Sequence, residues 1–195
     1  MSNLITSNEL IINQKRLPSL DSQEYDAFWK NERDKCINGL LIDGVYLSGF
    51  LYWHLNYFKC DIDFTDDMGN NIMIYGSPYL RDNEWLVDDY IQQGEKAKKG
   101  VLLAGTRRFA KTIIEQSYIC RKATFFRNTQ NVVSGTNQKD IDLIIGGVRK
   151  CFRNMVPAFK HGILQNSAKE QISLGIKLNS NESDVFSTIP VRNLD

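Results

Sequence analysis

The apolar positions of this chain change rhythm several times, and each change marks an element. Between residues 21 and 37, Tyr25, Phe28, Trp29 and Ile37 stand among many charges. That spacing predicts an amphipathic helix opening near Asp21 or Ser22. Two short apolar runs then flank Asp43-Gly44, a dipeptide suited to a hairpin turn. Phe50 to Phe58 is dense in aromatic side chains: Phe50, Tyr52, Trp53, Tyr57 and Phe58. With no Lys or Arg among them until Lys59, a packed helix is expected rather than a stacking platform for nucleic acid. A second hairpin is predicted where Asp61 to Phe64 alternates, Asp66 to Asn71 turns, and Ile72 to Tyr75 returns. Its four aspartates suggest a metal loop, but Asp66 stands where an EF-hand needs glycine, so a solvated hairpin is the reading.

Gly76-Ser77-Pro78 breaks the pattern, and a domain boundary is expected there. A helix follows from about Tyr79 to Lys98, with Lys96, Lys98 and Lys99 at its negative end and Gly100 to stop it. Val101-Leu102-Leu103-Ala104 reads as a buried strand. After a loop, Ile113, Ile114, Ser117, Tyr118 and Phe125 share one side of another helix. Asn131 to Gly135 is a short strand, expected to lie parallel to 101–104 because a full helix crosses between them. Ile141, Ile144, Ile145, Val148, Cys151, Phe152 and Met155 recur at steps of three and four, the clearest helix in the chain despite Gly146-Gly147. Ile172, Leu174, Ile176 and Leu178 alternate with polar residues, and Val185 to Val191 is expected to return as their partner.

Composition narrows this only a little. The chain has 195 residues, 42% apolar and 24% charged, with a net charge of +1. Contact with nucleic acid would therefore need a local patch. Cys36, Cys60, Cys120 and Cys151 are scattered and only two histidines are present, which argues against a zinc site. No stretch resembles a signal peptide or a membrane span, so a cytoplasmic protein is expected.

The chemistry concentrates in Gly105-Thr106-Arg107-Arg108-Phe109-Ala110-Lys111-Thr112. Strand, glycine-led loop, Lys-Thr and helix form the context of a phosphate-binding loop. Loop N–H groups and the positive helix end would face the phosphates, Lys111 would reach the β- and γ-phosphates, and the Thr112 hydroxyl would ligate Mg²⁺. The motif departs from its consensus at Ala110, where glycine is usual. Alanine there is tolerable at negative φ and costly at positive φ. The expected fold is α/β: an incomplete P-loop NTPase core with a mainly parallel sheet over 76–195, preceded by a helical and hairpin extension over 1–75.

Together these residues resemble the N-terminal ATPase part of a tailed-phage terminase large subunit, best over 79–160. The deviant loop Gly105 to Thr112, the segment Leu80-Arg81-Asp82-Asn83-Glu84-Trp85 before it, and Asn131 to Thr136 with the long helix after it carry the resemblance. It implies ATP and Mg²⁺ as cofactors and double-stranded DNA as partner. It also implies a portal protein and a small terminase subunit as further partners, a homo-oligomeric motor, no membrane, and work in the host cytoplasm at the procapsid portal. It makes Arg107, or Arg108 in its place, the cation that senses or stabilises the γ-phosphate, and places adenine against Arg81 and Glu84. Many relatives carry glutamine at the Glu84 position, and a carboxylate can only accept from the adenine amine. Arg81 and Glu84 also read as a helix-surface pair.

An ATPase further needs an acid on Mg²⁺. Apolar runs ending in acid occur at Leu40 to Asp43 and Leu86 to Asp89, both ahead of the loop. The terminase nuclease domain is also not in this sequence, so the chain reads as a fragment with little turnover of its own. Two alternatives remain: a nucleotide- or DNA-binding module without catalysis, and another P-loop DNA motor such as a helicase.

Overall fold

The computed structural model describes residues 17–78, 80–102, 110–135, 137–166, 171–177 and 183–193. The chain divides into two compact units, Met1–Lys111 and Thr112–Asp195.

In the first unit, α1 (Tyr25–Asn38) leads into a hairpin of β1 (Leu40–Ile42) and β2 (Val45–Leu47). Its turn residues Asp43 and Gly44 both take left-handed φ, 48° and 81°, as a tight hairpin requires. The short helix α2 (Gly49–Asn56) follows, capped by Ser48, whose Oγ accepts from the Leu51 N–H at 3.0 Å. Gly49 begins it because a Cβ there would lie 2.5 Å from the Ile37 carbonyl oxygen at the end of α1. A second antiparallel hairpin, β3 (Cys60–Thr65) and β4 (Asn71–Gly76), and the helix α3 (Asp82–Lys96) complete the unit.

α2 is buried on nearly every side, from Gly49 to Leu55. The aromatic run is thus core: Trp53 and Phe58 are fully buried, and the Trp53 and Tyr57 rings stack at 6.2 Å. A helix apolar all round must hand its few polar atoms to neighbours. Glu32 of α1, 2% exposed, receives them. Its Oε2 accepts from the Tyr52 hydroxyl at 2.5 Å and the Tyr57 hydroxyl at 2.7 Å, and its Oε1 from Lys35 Nζ at 2.6 Å. Burial, then the carboxylate itself, hold both tyrosine pKa values far above their ordinary range.

The second unit contains α4 (Lys111–Phe125) from Thr112 onward, β5 (Thr129–Gln130), β6 (Val133–Gly135), α5 (Gln138–Arg153), a 3₁₀ turn (Pro157–Phe159), and β7 (Gly162–Asn166), β8 (Gln171–Lys177) and β9 (Ser183–Asn193). Asn137 caps α5, accepting from the Asp140 N–H at 2.9 Å. The stripe of Ile141, Ile145, Val148, Cys151 and Phe152 is buried, as its spacing predicts. Gly147 keeps the stripe open to α4: a Cβ there would meet the Gln116 amide at 2.2 Å, and that amide donates to the Leu143 carbonyl. Ile172, Leu174 and Ile189 are buried at paired positions of the sheet, and Ser187 donates to the Ala123 carbonyl of α4 at 3.0 Å.

The sheet corrects the expected fold class. A P-loop core with a mainly parallel sheet is not what these strands form. β7, β8 and β9 make an antiparallel meander, and among the described residues only β5 and β6 run parallel to a partner. That partner is β9, with Thr129 opposite Ser187 and Val133 opposite Val191. Both pieces keep the same register, so β5 and β6 act as one strand interrupted at Asn131 and Val132. The alternation of 171–178 belongs to strands pairing antiparallel, and 133–135 runs parallel to β9, while the expected pairing of 131–135 with 101–104 involves residues outside the described ones. The expected strand 101–104 is not formed at Val101 and Leu102, which lie outside any strand, and Leu103 and Ala104 fall outside the described residues.

Glu32→Ala leaves two tyrosine hydroxyls buried without an acceptor. It should lower unfolding stability by about 3 kcal/mol in urea titrations, with Tyr52→Phe costing nearer 1. A loss below about 0.5 kcal/mol for Glu32→Ala would remove this carboxylate from the core.

Candidate functional site

Gly105, Thr106, Arg107, Arg108 and Phe109 lie outside the described residues. The described part of the motif begins at Ala110. Its φ is +58°, the left-handed region that alanine rarely adopts. Position 110 is where the consensus loop carries its second glycine, so the chain keeps a glycine-like conformation without the glycine. Helix α4 starts at once, with Lys111 exposed and Thr112 half-buried. The first N–H groups of a helix have no intrahelical acceptor and sit at its positive end. The first turn of α4 holds no acidic side chain to compete for them. Chemically this is a start suited to an anion, with an ammonium and a hydroxyl in the first two helical positions.

The residues expected at the base have a different neighbourhood. Arg81 is exposed and precedes α3. Glu84 is 2% exposed. Its Oε2 accepts from the Arg81 N–H at 3.1 Å, while the Glu84 N–H donates to the Arg81 carbonyl at 2.9 Å. The pair thus closes the first turn of α3 through backbone atoms. The same Oε2 lies 3.8 Å from Nε2 of His54, which is fully buried between the rings of Phe50 and Phe58. Neither imidazole nitrogen has a hydrogen-bond partner. Burial lowers the His54 pKa from 6.5 to about 3, and burial raises that of Glu84. The histidine is therefore neutral at physiological pH and couples α2 to α3 inside the first unit.

The acidic hairpin is explained by its turn. Asp66 accepts from the N–H groups of Met68 and Asn70 and from the Asn70 amide, which together hold its carboxyl below the usual range. Among the described residues no three His, Cys, Asp or Glu side chains gather to hold a metal ion. The two earlier apolar-then-acid strings have local roles: Asp43 is a turn residue, and Asp88 accepts from Gln92 within α3. Among the described residues no helix is long and apolar enough to cross a membrane. No family model matches the chain, and no curated protein matches it either.

Sequence reasoning passed over Glu32 and His54. Glu32 had a signal: it shares the spacing of Tyr25, Phe28, Trp29 and Cys36, so a charge stands in an apolar stripe. His54 had a weaker one, a single imidazole in an aromatic run.

Ala110→Gly should raise stability by roughly 1 kcal/mol, because glycine adopts positive φ without the Cβ clash. A neutral or lowered melting temperature would contradict the left-handed assignment. A second expectation concerns acid. The unfolded chain takes up the His54 proton as pH drops below about 6.5, whereas the folded chain resists until about 3, so this group subtracts stability across that window. Glu84 has the opposite sign, since its raised folded pKa lets the native state take up a proton first as pH falls. Replacing His54 with Phe removes the first contribution. Relative to wild type, the variant should gain about 2 kcal/mol between pH 7 and 4.5. Parallel stability curves for the two proteins would show that His54 is not buried neutral.

Proposed function

We propose that this chain is the N-terminal ATPase portion of a tailed-phage terminase large subunit, which drives double-stranded DNA into a procapsid in the host cytoplasm. The observation that supports this most is the left-handed Ala110 directly ahead of Lys111-Thr112 at an acid-free helix start. In this reading Gly105 to Ala110 wrap the phosphates of ATP, Lys111 neutralises the β- and γ-phosphates, and Thr112 ligates Mg²⁺. Arg107 stabilises charge that develops on the γ-phosphate, with Arg108 beside it. Arg81 faces the adenine, and Glu84, buried in the cap of α3, holds the Arg81 backbone in place. The motor is a homo-oligomer that docks on a portal protein and works with a small terminase subunit.

A second reading, a nucleotide- or DNA-binding module without catalysis, draws on the antiparallel β7–β8–β9 meander. Phosphate release separates the two, because a module of that kind has no turnover even when the rest of the motor is supplied.

The 195-residue chain should bind a fluorescent ATP analogue with Mg²⁺ weakly and hydrolyse it barely, since no apolar run ending in acid follows the loop. Lys111→Ala should weaken binding at least ~10-fold, as loss of a charge-assisted phosphate contact does. Unchanged affinity in that variant would sink the phosphate-loop reading.

A further inference from the structure

Helices α4 and α5 run side by side in the same direction. Gln116 donates to Leu143, Cys120 to Val148 and Thr124 to Met155, so contacts advance together along both helices. Their C-terminal ends therefore lie at one end of the second unit. The 3₁₀ turn closes that end: Phe159 packs edge-on to Phe125 at 5.1 Å, and His161 Nε2 lies 2.8 Å from the Thr124 carbonyl oxygen.

Cations crowd this end. Lys122 and Arg127 come from the α4 side, Lys150 and Arg153 from the last turn of α5, and Lys160 follows, its Nζ 3.1 Å from the Arg153 carbonyl oxygen. Arg127, Arg153 and Lys160 are exposed, and Lys122 and Lys150 are half-buried. No acidic residue occurs in 116–139 or in 143–169. Asp140 and Asp142 sit at the opposite end of α5. Lys177 and Asp184 stand at adjoining register positions of β8 and β9. Two helix C-termini carry roughly one negative charge between them, so these cations exceed what the dipoles call for. The aromatic surface nearby is already covered: Arg121 and Lys122 lie over the Phe126 ring at 5.2 and 4.8 Å. Cations without a free stacking face suit phosphates held at duplex spacing rather than unstacked bases.

We propose that this end of the second unit is a docking surface for the phosphate backbone of double-stranded DNA. It deepens the motor reading above, from which the choice of duplex as partner follows. The surface lies at the far end of α4 from Lys111, roughly 20 Å along a helix of 15 residues. DNA and nucleotide therefore do not compete for the same groups.

The test uses the whole 195-residue chain and a labelled 30-base-pair duplex, followed by fluorescence anisotropy across a salt series. Arg153→Gln with Lys160→Gln should weaken binding at least ~10-fold at low salt and reduce the log–log salt slope by about 2, one per lost phosphate contact. Lys139→Gln, at the other end of α5, should change affinity less than about twofold. Thermal melting confirms that each variant is folded. Wild-type affinity in the folded double variant, no duplex binding by wild type at low salt, or tighter binding to a single strand of equal length would each overturn the proposal. Nucleotide titration of the same variants keeps the two readings apart. If Lys111→Ala leaves ATP binding untouched but the double variant loses DNA, the phosphate loop fails and this surface stands.

Discussion

A carboxylate with almost no access to water sets the terms for the first unit. Glu32 must find donors, and the donors it finds are Tyr52 in the middle of α2, Tyr57 just past its C-terminal end, and a lysine one turn along its own helix. Neither side is stable alone. Without Glu32 two phenols lose their acceptor, and without the phenols Oε2 of a buried carboxylate loses both of its donors, leaving only Lys35 on Oε1. That mutual need fixes α1 against α2 and lets an eight-residue helix, too short to persist by itself, act as a core element. The hairpin between them has no freedom left once Gly49 is seated against the end of α1.

The second unit is held differently, by shape more than by charge. Its helices present a continuous apolar stripe and a glycine notch to each other, and its sheet offers paired Ile172 and Ile189. One polar contact between the layers is neutral, Ser187 donating to the Ala123 carbonyl. Arg121 of α4 is buried, while along α5 the charges separate by sign. Acids gather where the helix dipole is positive and cations where it is negative.

Much of this was readable from local chemistry. Asp43-Gly44 and Asp66 to Asn71 carry turn residues with a mechanism, and both hairpins form around them. The 141–152 stripe and the 171–178 alternation are strong periodic signals, and each became its element. The return of 185–191 on 171–177 was readable too, but the parallel pairing of β6 with β9 was not. Nothing in Asn131 to Gly135 says that its neighbour lies at 191–193, because parallel partners share no turn and are chosen by the packing of intervening elements. For the candidate site, the sequence marked Ala110 as the residue whose φ mattered but could not give the sign. It also put Glu84 in a ligand's path without showing that His54 and the Arg81 amide stand beside it.

The distant partnership of β6 and β9 has a consequence for how the chain comes to be folded. The hairpins of the first unit close within a few residues, so they can form while synthesis continues. In the second unit the interrupted strand at 129–135 waits for a partner that arrives only with 187–193. Until then the α5 stripe and the open edge of β6 face the surroundings, and loop closure must bring together segments far apart in sequence. The first unit is thus expected to assemble early and quickly, and the second late and in one concerted step. A chain interrupted before β9 exposes the surface most prone to sticking to its neighbours.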